Sequence, residues 1–297
     1  MCRWNAWFGR PLVIDELLYR TPHSLIDQAL HSRLGVETTN GDGFGLGWYP
    51  DGDIDTPGRY RSVNPAWSDA NLRDLTAHVA SPLFLAHIRA TTGTPVQQTN
   101  CHPFRHGRWL FVHNGAIAGF DLIRRKLLLS VEPSLFEGIA GSTDSEVLFY
   151  LALTFGLEDD PLGAVERAVA FVEATGRDHG IEHPVQMTLG FSDGVRLWAV
   201  RYSTAGDSRT LYVSADSGTL RALHPDNPRF AQMSDEDRIV VSEPLSDLPG
   251  AWLEVPEATA LIVQPGADER LPFRPRMPEP QAEAREGDDR RARAHVS

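Results

Sequence analysis

The chain has 297 residues, enough for one large domain or two ordinary ones with a sizeable core. Its net charge of -12 speaks against a general nucleic-acid binder and against adhesion to an anionic membrane, and no apolar run approaches the roughly 20 residues of a membrane span. Two cysteines, Cys2 and Cys101, are too few for a secreted disulfide scaffold, so a cytoplasmic home is expected, with a Cys2–Cys101 bridge left open.

The N-terminus lacks the basic segment and apolar stretch of a signal peptide. It opens Met1-Cys2-Arg3-Trp4. Removal of Met1 leaves a cysteine whose thiol and α-amine share one carbon skeleton. A thiolate is a strong nucleophile, and an α-amine with a pKa of about 8 shuttles protons near neutrality. One residue then supplies both nucleophile and base. The competing assignment for Cys2 alone is a buried strand cysteine, which is the commoner case.

Cys2 to Phe8 alternates well enough for a strand, and Leu12 to Tyr19 carries apolar residues at helical spacing. Pro22 to Leu30 reads as a short helix or turn. The glycine-rich run Gly41 to Tyr49 lacks the Gly-Lys-Ser/Thr ending of a phosphate loop, and its glycines miss the dinucleotide spacing. It is expected to be a strand whose glycines admit a close backbone or ligand. Residues 51 to 66 are turn-rich, and Asp69 to Val79 is predicted helical. Leu83 to Arg89 and Trp109 to His113 are predicted strands on either side of a polar loop, Thr91 to Phe104.

Leu122 to Leu129 is predicted helical. Thr143 and Glu146 have the spacing of a capping box, which puts Asp144 in the first turn of a helix running to Phe155. Another helix is expected over Leu162 to Ala174. Strands follow at Val185–Phe191, Val195–Tyr202, Leu211–Ser214, Ile239–Ser242 and Thr259–Val263, the first two joined by a Ser192-Asp193-Gly194 hairpin. Beyond Pro272 the chain is rich in Pro, Glu, Arg and Ala, and a disordered tail over 272–297 is expected. The order of strands, helices and strands predicts an α+β protein: two antiparallel sheets face to face, with helices on their outer faces.

A thiolate attacking a carbonyl needs donors for the oxyanion. The Asn114 carboxamide and the Gly115 N–H, at the end of the second strong strand, are candidates. Asn-Gly is also the best hairpin dipeptide, so a tight turn competes. Arg89 closes an apolar strand, where a charge is costly unless it is paired or faces a pocket. Arginine suits a carboxylate through two parallel hydrogen bonds. Asp144, early in a helix, is stabilised as an anion and suits an ammonium. The pair would clamp an amino acid by its charged ends; structural pairing of Arg89 and simple capping by Asp144 compete. His87 and His113 fall in strands as hydrogen-bonded core residues. Cys101, His102, His106 and His113 match no Cys/His metal-ligand spacing, so no metal site is expected.

Five segments taken together resemble the class II glutamine amidotransferases, which are N-terminal-nucleophile hydrolases. They are Cys2, His87 to Gly93, Asn100-Cys101-His102-Pro103-Phe104, Val112-His113-Asn114-Gly115, and Ser142 to Glu146. Met1-Cys2-Arg3, Pro22-His23-Ser24, Asn40 to Gly45 and Pro65-Ala66-Trp67-Ser68 are similar to a stand-alone branch, which includes a glutathione-degrading amidotransferase subunit and a γ-glutamyl hydrolase of ergothioneine biosynthesis.

The resemblance implies a four-layer αββα sandwich over 2–271. It implies Cys2 as nucleophile with its freed amine as base, and Asn114 and Gly115 as the oxyanion hole. Arg89 and Thr92 would hold an α-carboxylate, Asp144 an α-ammonium, and His102 would brace the pocket. The implied substrate is a γ-glutamyl small molecule, with no metal or organic cofactor. Ala90 and Gly93 stand where many relatives carry Trp and His, which implies a more open pocket. The alternatives are a glutaminase subunit passing ammonia to a partner enzyme, a γ-glutamyl-binding protein without catalysis, and a zinc-stabilised structural protein.

Overall fold

In chain order the elements are β1 (Arg3–Val13), α1 (Asp15–Leu18), α2 (Leu25–Leu30), β2 (Phe44–Tyr49), β3 (Gly58–Ser62), α3 (Ala70–His78), β4 (Ala80–Ile88), β5 (Phe104–His106), β6 (Trp109–Ile117), α4 (Phe120–Leu129), α5 (Pro133–Phe136), α6 (Asp144–Thr154), α7 (Pro161–Asp178), β7 (Val185–Ser192), β8 (Leu197–Ser203), β9 (Tyr212–Ser214), α8 (Ser217–Leu223), α9 (Pro228–Gln232), β10 (Arg238–Val241), β11 (Trp252–Glu254), β12 (Thr259–Val263) and β13 (Glu269–Pro272). The structure is a computed structural model and describes residues 2–34, 39–52, 56–91 and 93–277.

The strands form two antiparallel sheets. One has the order β11-β9-β10-β1-β4-β2-β3, the other β13-β12-β8-β7-β6-β5. Side chains alternate across a strand, so each sheet presents two faces. Trp4, Ala6 and Phe8 of β1 meet Leu110 and Val112 of β6 and Leu197 and Ala199 of β8 between the sheets. Trp7 points the other way, into a core with Leu17, Leu18, Leu25 and Leu72 of α1 to α3. On the far side Phe111 and Leu189 pack on Val147 and Leu151 of α6 and Val165 and Val169 of α7. These three cores separate four layers, helix, sheet, sheet, helix, as expected.

Several local expectations are corrected. The helical spacing from Leu12 is overridden: β1 stays extended to Val13, pairing with Ala80, and only Asp15–Leu18 is helical. The turn-rich stretch contains β3, an edge strand whose residues are only half-buried and so lack apolar patterning. Asn114 and Gly115 make no turn, since β6 pairs with β7 through to Ile117 and Val185. Phe273 is buried and its N–H donates to Ala258 O, so the packed chain extends past Pro272; 278–297 of the expected tail lie outside the described residues. Cys2 and Cys101 are both free thiols.

Candidate active site

Cys2 immediately precedes β1, in which Arg3 pairs with Ile88 of β4. That register carries Cys2 to the end of β4, where its Sγ lies 3.5 Å from both the N and the O of Ala90. The residue as a whole is half-buried. Burial pushes its pKa up, the Ala90 N–H and the Arg89 charge act against the rise, and Asp144 adds to it. Arg89 and Asp144 therefore both lie within electrostatic reach of the thiol.

Arg89 is buried, and its guanidinium donates to Asp42 O (3.3 Å), Thr91 Oγ1 (3.3 Å), Thr94 Oγ1 (2.6 Å) and Pro95 O (3.2 Å). Asp42 in turn accepts from Thr91 N at 2.8 Å. The loop after β4 is thus folded back around the arginine. Thr92 lies outside the described residues. Thr91 and Thr94, which the sequence reading passed over, are the hydroxyls on Arg89; only the hydroxyl-rich composition of the loop hints at them.

Asn114 points into the space between the sheets, as Val112 does two residues earlier on the same face. Across the ladder it pairs with Thr188, whose hydroxyl accepts from the Trp4 indole at 3.1 Å, and Trp4 shares its face of β1 with Cys2. Among the described residues nothing bonds the Asn114 carboxamide, although the residue is buried. The backbone of Gly115 follows from the strand's period of two. His113 O accepts from His87 Nε2 (3.2 Å) and Ile117 N donates to Asp144 Oδ2 (2.7 Å), so the odd-numbered residues turn their polar groups away from β7. The Gly115 N–H belongs to that edge. β5 pairs with β6 only from Trp109 to Phe111, which leaves the edge without a strand partner at Gly115. A Cβ on Gly115 would meet Gln186 O at 2.0 Å and His113 Nε2 at 2.5 Å, so glycine is dictated by the neighbouring strand.

Asp144 is the first residue of α6, whose N-cap Thr143 accepts from Glu146 N at 3.2 Å. The second half of the expected capping box is absent: Glu146 instead accepts from Ala140 N and Gly141 N. Asp144 is half-buried and firmly aimed. Its Oδ2 takes the Ile117 N–H, and its Oδ1 takes the Ser145 N–H (2.7 Å) and hydroxyl (3.1 Å). Ser145 Oγ also lies 2.7 Å from His113 Nδ1. With the serine proton given to Asp144, the ring must donate, which assigns the His113 proton to Nδ1.

His102 is buried, with Nδ1 2.8 Å from His87 Nε2. Burial lowers the pKa of His87, to about 3, and of His102 and His113. Burial favours the neutral form of these rings, and His87 and His113 are the hydrogen-bonded core residues expected. Among the described residues no three His, Cys, Asp or Glu side chains converge on a point that could hold a metal ion.

Residues 21–286 match the family of glutamine amidotransferases class-II. The chain is 32% identical over 293 residues to the probable glutamine amidotransferase DUG3 of Saccharomyces cerevisiae, covering 89% of this chain and 82% of that protein. It is 31% identical over 261 residues to the gamma-glutamyl-hercynylcysteine sulfoxide hydrolase of Mycolicibacterium smegmatis, covering 86% and 93%. Among solved structures, a glutamine aminotransferase class-II domain protein from Silicibacter pomeroyi superposes with a TM-score of 0.70 at 33% identity, over 93% of this chain and 100% of that one. The glutamine phosphoribosylpyrophosphate amidotransferase of Bacillus subtilis shares the fold, with a TM-score of 0.63 at 14% identity over 93% of this chain and 50% of that one.

Proposed function

The chain belongs to the class II glutamine amidotransferases, enzymes of γ-glutamyl amide chemistry, and from that membership we propose that it hydrolyses the amide of glutamine or a larger γ-glutamyl compound through a Cys2 thioester. The observation that carries this reading is the Cys2 sulfur held 3.5 Å from Ala90, within electrostatic reach of Arg89 and Asp144 at one end of the space between the sheets.

With Met1 in place the Cys2 nitrogen is an amide and cannot accept a proton. Its removal creates an α-amine with a pKa of about 8 beside a thiol that burial has pushed up. The amine takes the thiol proton, and the thiolate attacks the γ-carbonyl carbon. The Asn114 carboxamide and the Gly115 N–H receive the oxyanion. The carbon–nitrogen bond breaks as the α-ammonium returns its proton to the leaving amine. The same amine then deprotonates a water, which displaces the sulfur and yields glutamate.

Arg89 holds the substrate α-carboxylate, with Thr92 assisting, and Asp144 holds the α-ammonium, while His102 braces the pocket. Rigid placement of both charged ends brings the γ-carbon to the sulfur. Gly93 has nothing within 4 Å of where a Cβ would stand, and Ala90 is small, which favours a leaving group larger than ammonia. The relatives named above for glutamine amidotransfer and for γ-glutamyl hydrolysis support the same substrate class.

Incubation with glutamine, glutathione and other γ-glutamyl amides tests the reading. Glutamate release is expected from the mature chain, together with labelling of Cys2 by a glutamine-like electrophile in the intact-mass spectrum. Cys2→Ala is expected to abolish both, and turnover by that variant at the wild-type rate would remove the proposal.

A further inference from the structure

One buried carboxylate outside the substrate site gathers an unusual number of donors. Glu243 follows β10 and is almost wholly buried. Its Oε2 accepts from Arg3 Nε (2.7 Å), Leu34 N (3.2 Å) and Ser32 Oγ (3.3 Å), and its Oε1 accepts from His23 Nε2 (2.5 Å) and Arg33 N (2.9 Å). His23 is fixed from its other side by Asp27 Oδ2 at 2.7 Å. The Gln28 amide adds bonds to the carbonyls of His23 and of Glu243 itself.

Arg3, also buried, uses its other two nitrogens on Cys2 and on the 32–34 segment. Nη1 donates to Cys2 O at 3.0 Å, and Nη2 donates to Ser32 Oγ and Leu34 O, each at 2.5 Å. Both charges are thereby desolvated. A buried ion pair is a weak source of stability, because the cost of desolvation offsets its attraction. What this one supplies is geometry. A chain terminus frays unless it is tied down. A nucleophile on the first residue of a mature chain has a covalent tether on one side only.

We propose that Glu243 is the positioning residue of the N-terminal nucleophile: through Arg3 it fixes the carbonyl, and so the main chain, of Cys2, and through the N–H groups of Arg33 and Leu34 it clamps the adjacent segment. His23 orients the carboxylate. This gives a task to Arg3 and to the Pro22-His23-Ser24 stretch, neither of which touches substrate in the mechanism above. The inference rests on the reading of Cys2 as nucleophile.

The test compares the full chain with its Glu243→Gln and Arg3→Lys variants. Gln keeps the shape and removes the charge; Lys keeps the charge but loses the planar fork that reaches Glu243 and Cys2 O from separate nitrogens. Intact mass reports Met1 removal, and a thermal melt reports folding. In folded, processed variants kcat for glutamine or glutathione is expected to fall about 10- to 100-fold, as for a displaced reacting group, with KM within about 3-fold. Labelling by a glutamine-like electrophile should slow in parallel, while alkylation by iodoacetamide, which needs no alignment, should not. If Glu243→Gln fails to fold, Arg3→Lys carries the test. A kcat within about 2-fold of wild type, or equal slowing of both labelling reactions, would overturn the proposal. Wild-type enzyme that is not labelled at Cys2 would instead refute the nucleophile assignment.

Discussion

A carboxamide that bonds nothing in the ligand-free protein can receive an oxyanion without first releasing another partner. Among the described residues nothing bonds the Asn114 carboxamide, which is held on a paired strand between Val112 and Ala116. Donors that need no reorganisation at the moment of reaction supply much of the stabilisation of a developing charge. Asn114→Ala is therefore expected to lower kcat about 10²- to 10³-fold with a small change in KM, read from steady-state kinetics on glutamine. A parallel rise in KM would mean that Asn114 binds the ground state instead. Arg89 presents the opposite case. Its four donations to the 91–95 loop and Asp42 show a guanidinium already ordered by its own loop before the proposed carboxylate would arrive.

Two elements meet at Asp144. β6 offers it the Ile117 N–H, and α6 offers it a place in the first turn, where the helix dipole favours a carboxylate. The start of α6 is fixed by the Thr143 hydroxyl on Glu146 N. Thr143→Ala should lower stability by about 1 kcal/mol, the usual cost of a lost N-cap, and should loosen Asp144 as well. The expected kinetic signature is a raised KM with kcat nearly unchanged, measured beside urea unfolding of the same variant. If stability falls and KM does not move, the cap serves the helix alone. The early end of β5 matters equally, since it leaves Gly115 without a strand partner on that edge of β6.

At the scale of the whole molecule, four layers bury three histidines beside one end of the inter-sheet space. His87, His102 and His113 all have pKa values lowered by burial, that of His87 to about 3. Each is neutral in the fold and takes up a proton in the unfolded chain near pH 6.5. The unfolded state then binds more protons below that pH, so the stability associated with these rings is complete above about 6.5 and is lost as pH falls toward the folded values. The loss is about 1.4 kcal/mol per pH unit for each ring that titrates this way. Urea midpoints are expected to drop between about pH 7.5 and pH 5, and an unchanged midpoint would show that the rings are charged in the fold.

Much of this was legible without coordinates. Apolar runs gave the main strands and α6, because those elements are buried on both faces, and helical spacing gave α7, which keeps one side polar. The segments around Cys2, Arg89, His102, Asn114 and Asp144 pointed to one family because each needs particular atoms. What periodicity could not give was whatever depends on a distant neighbour. The extension of β1 to Val13 is set by its pairing with β4, and the placement of Asn-Gly inside a strand by its pairing with β7. The buried link from Glu243 to Arg3 spans 240 positions of the chain. A sequence by itself determines which chemical groups are present and which faces seek burial. Only the packed chain decides which of those groups meet, because hydrogen bonds and buried charges act across space.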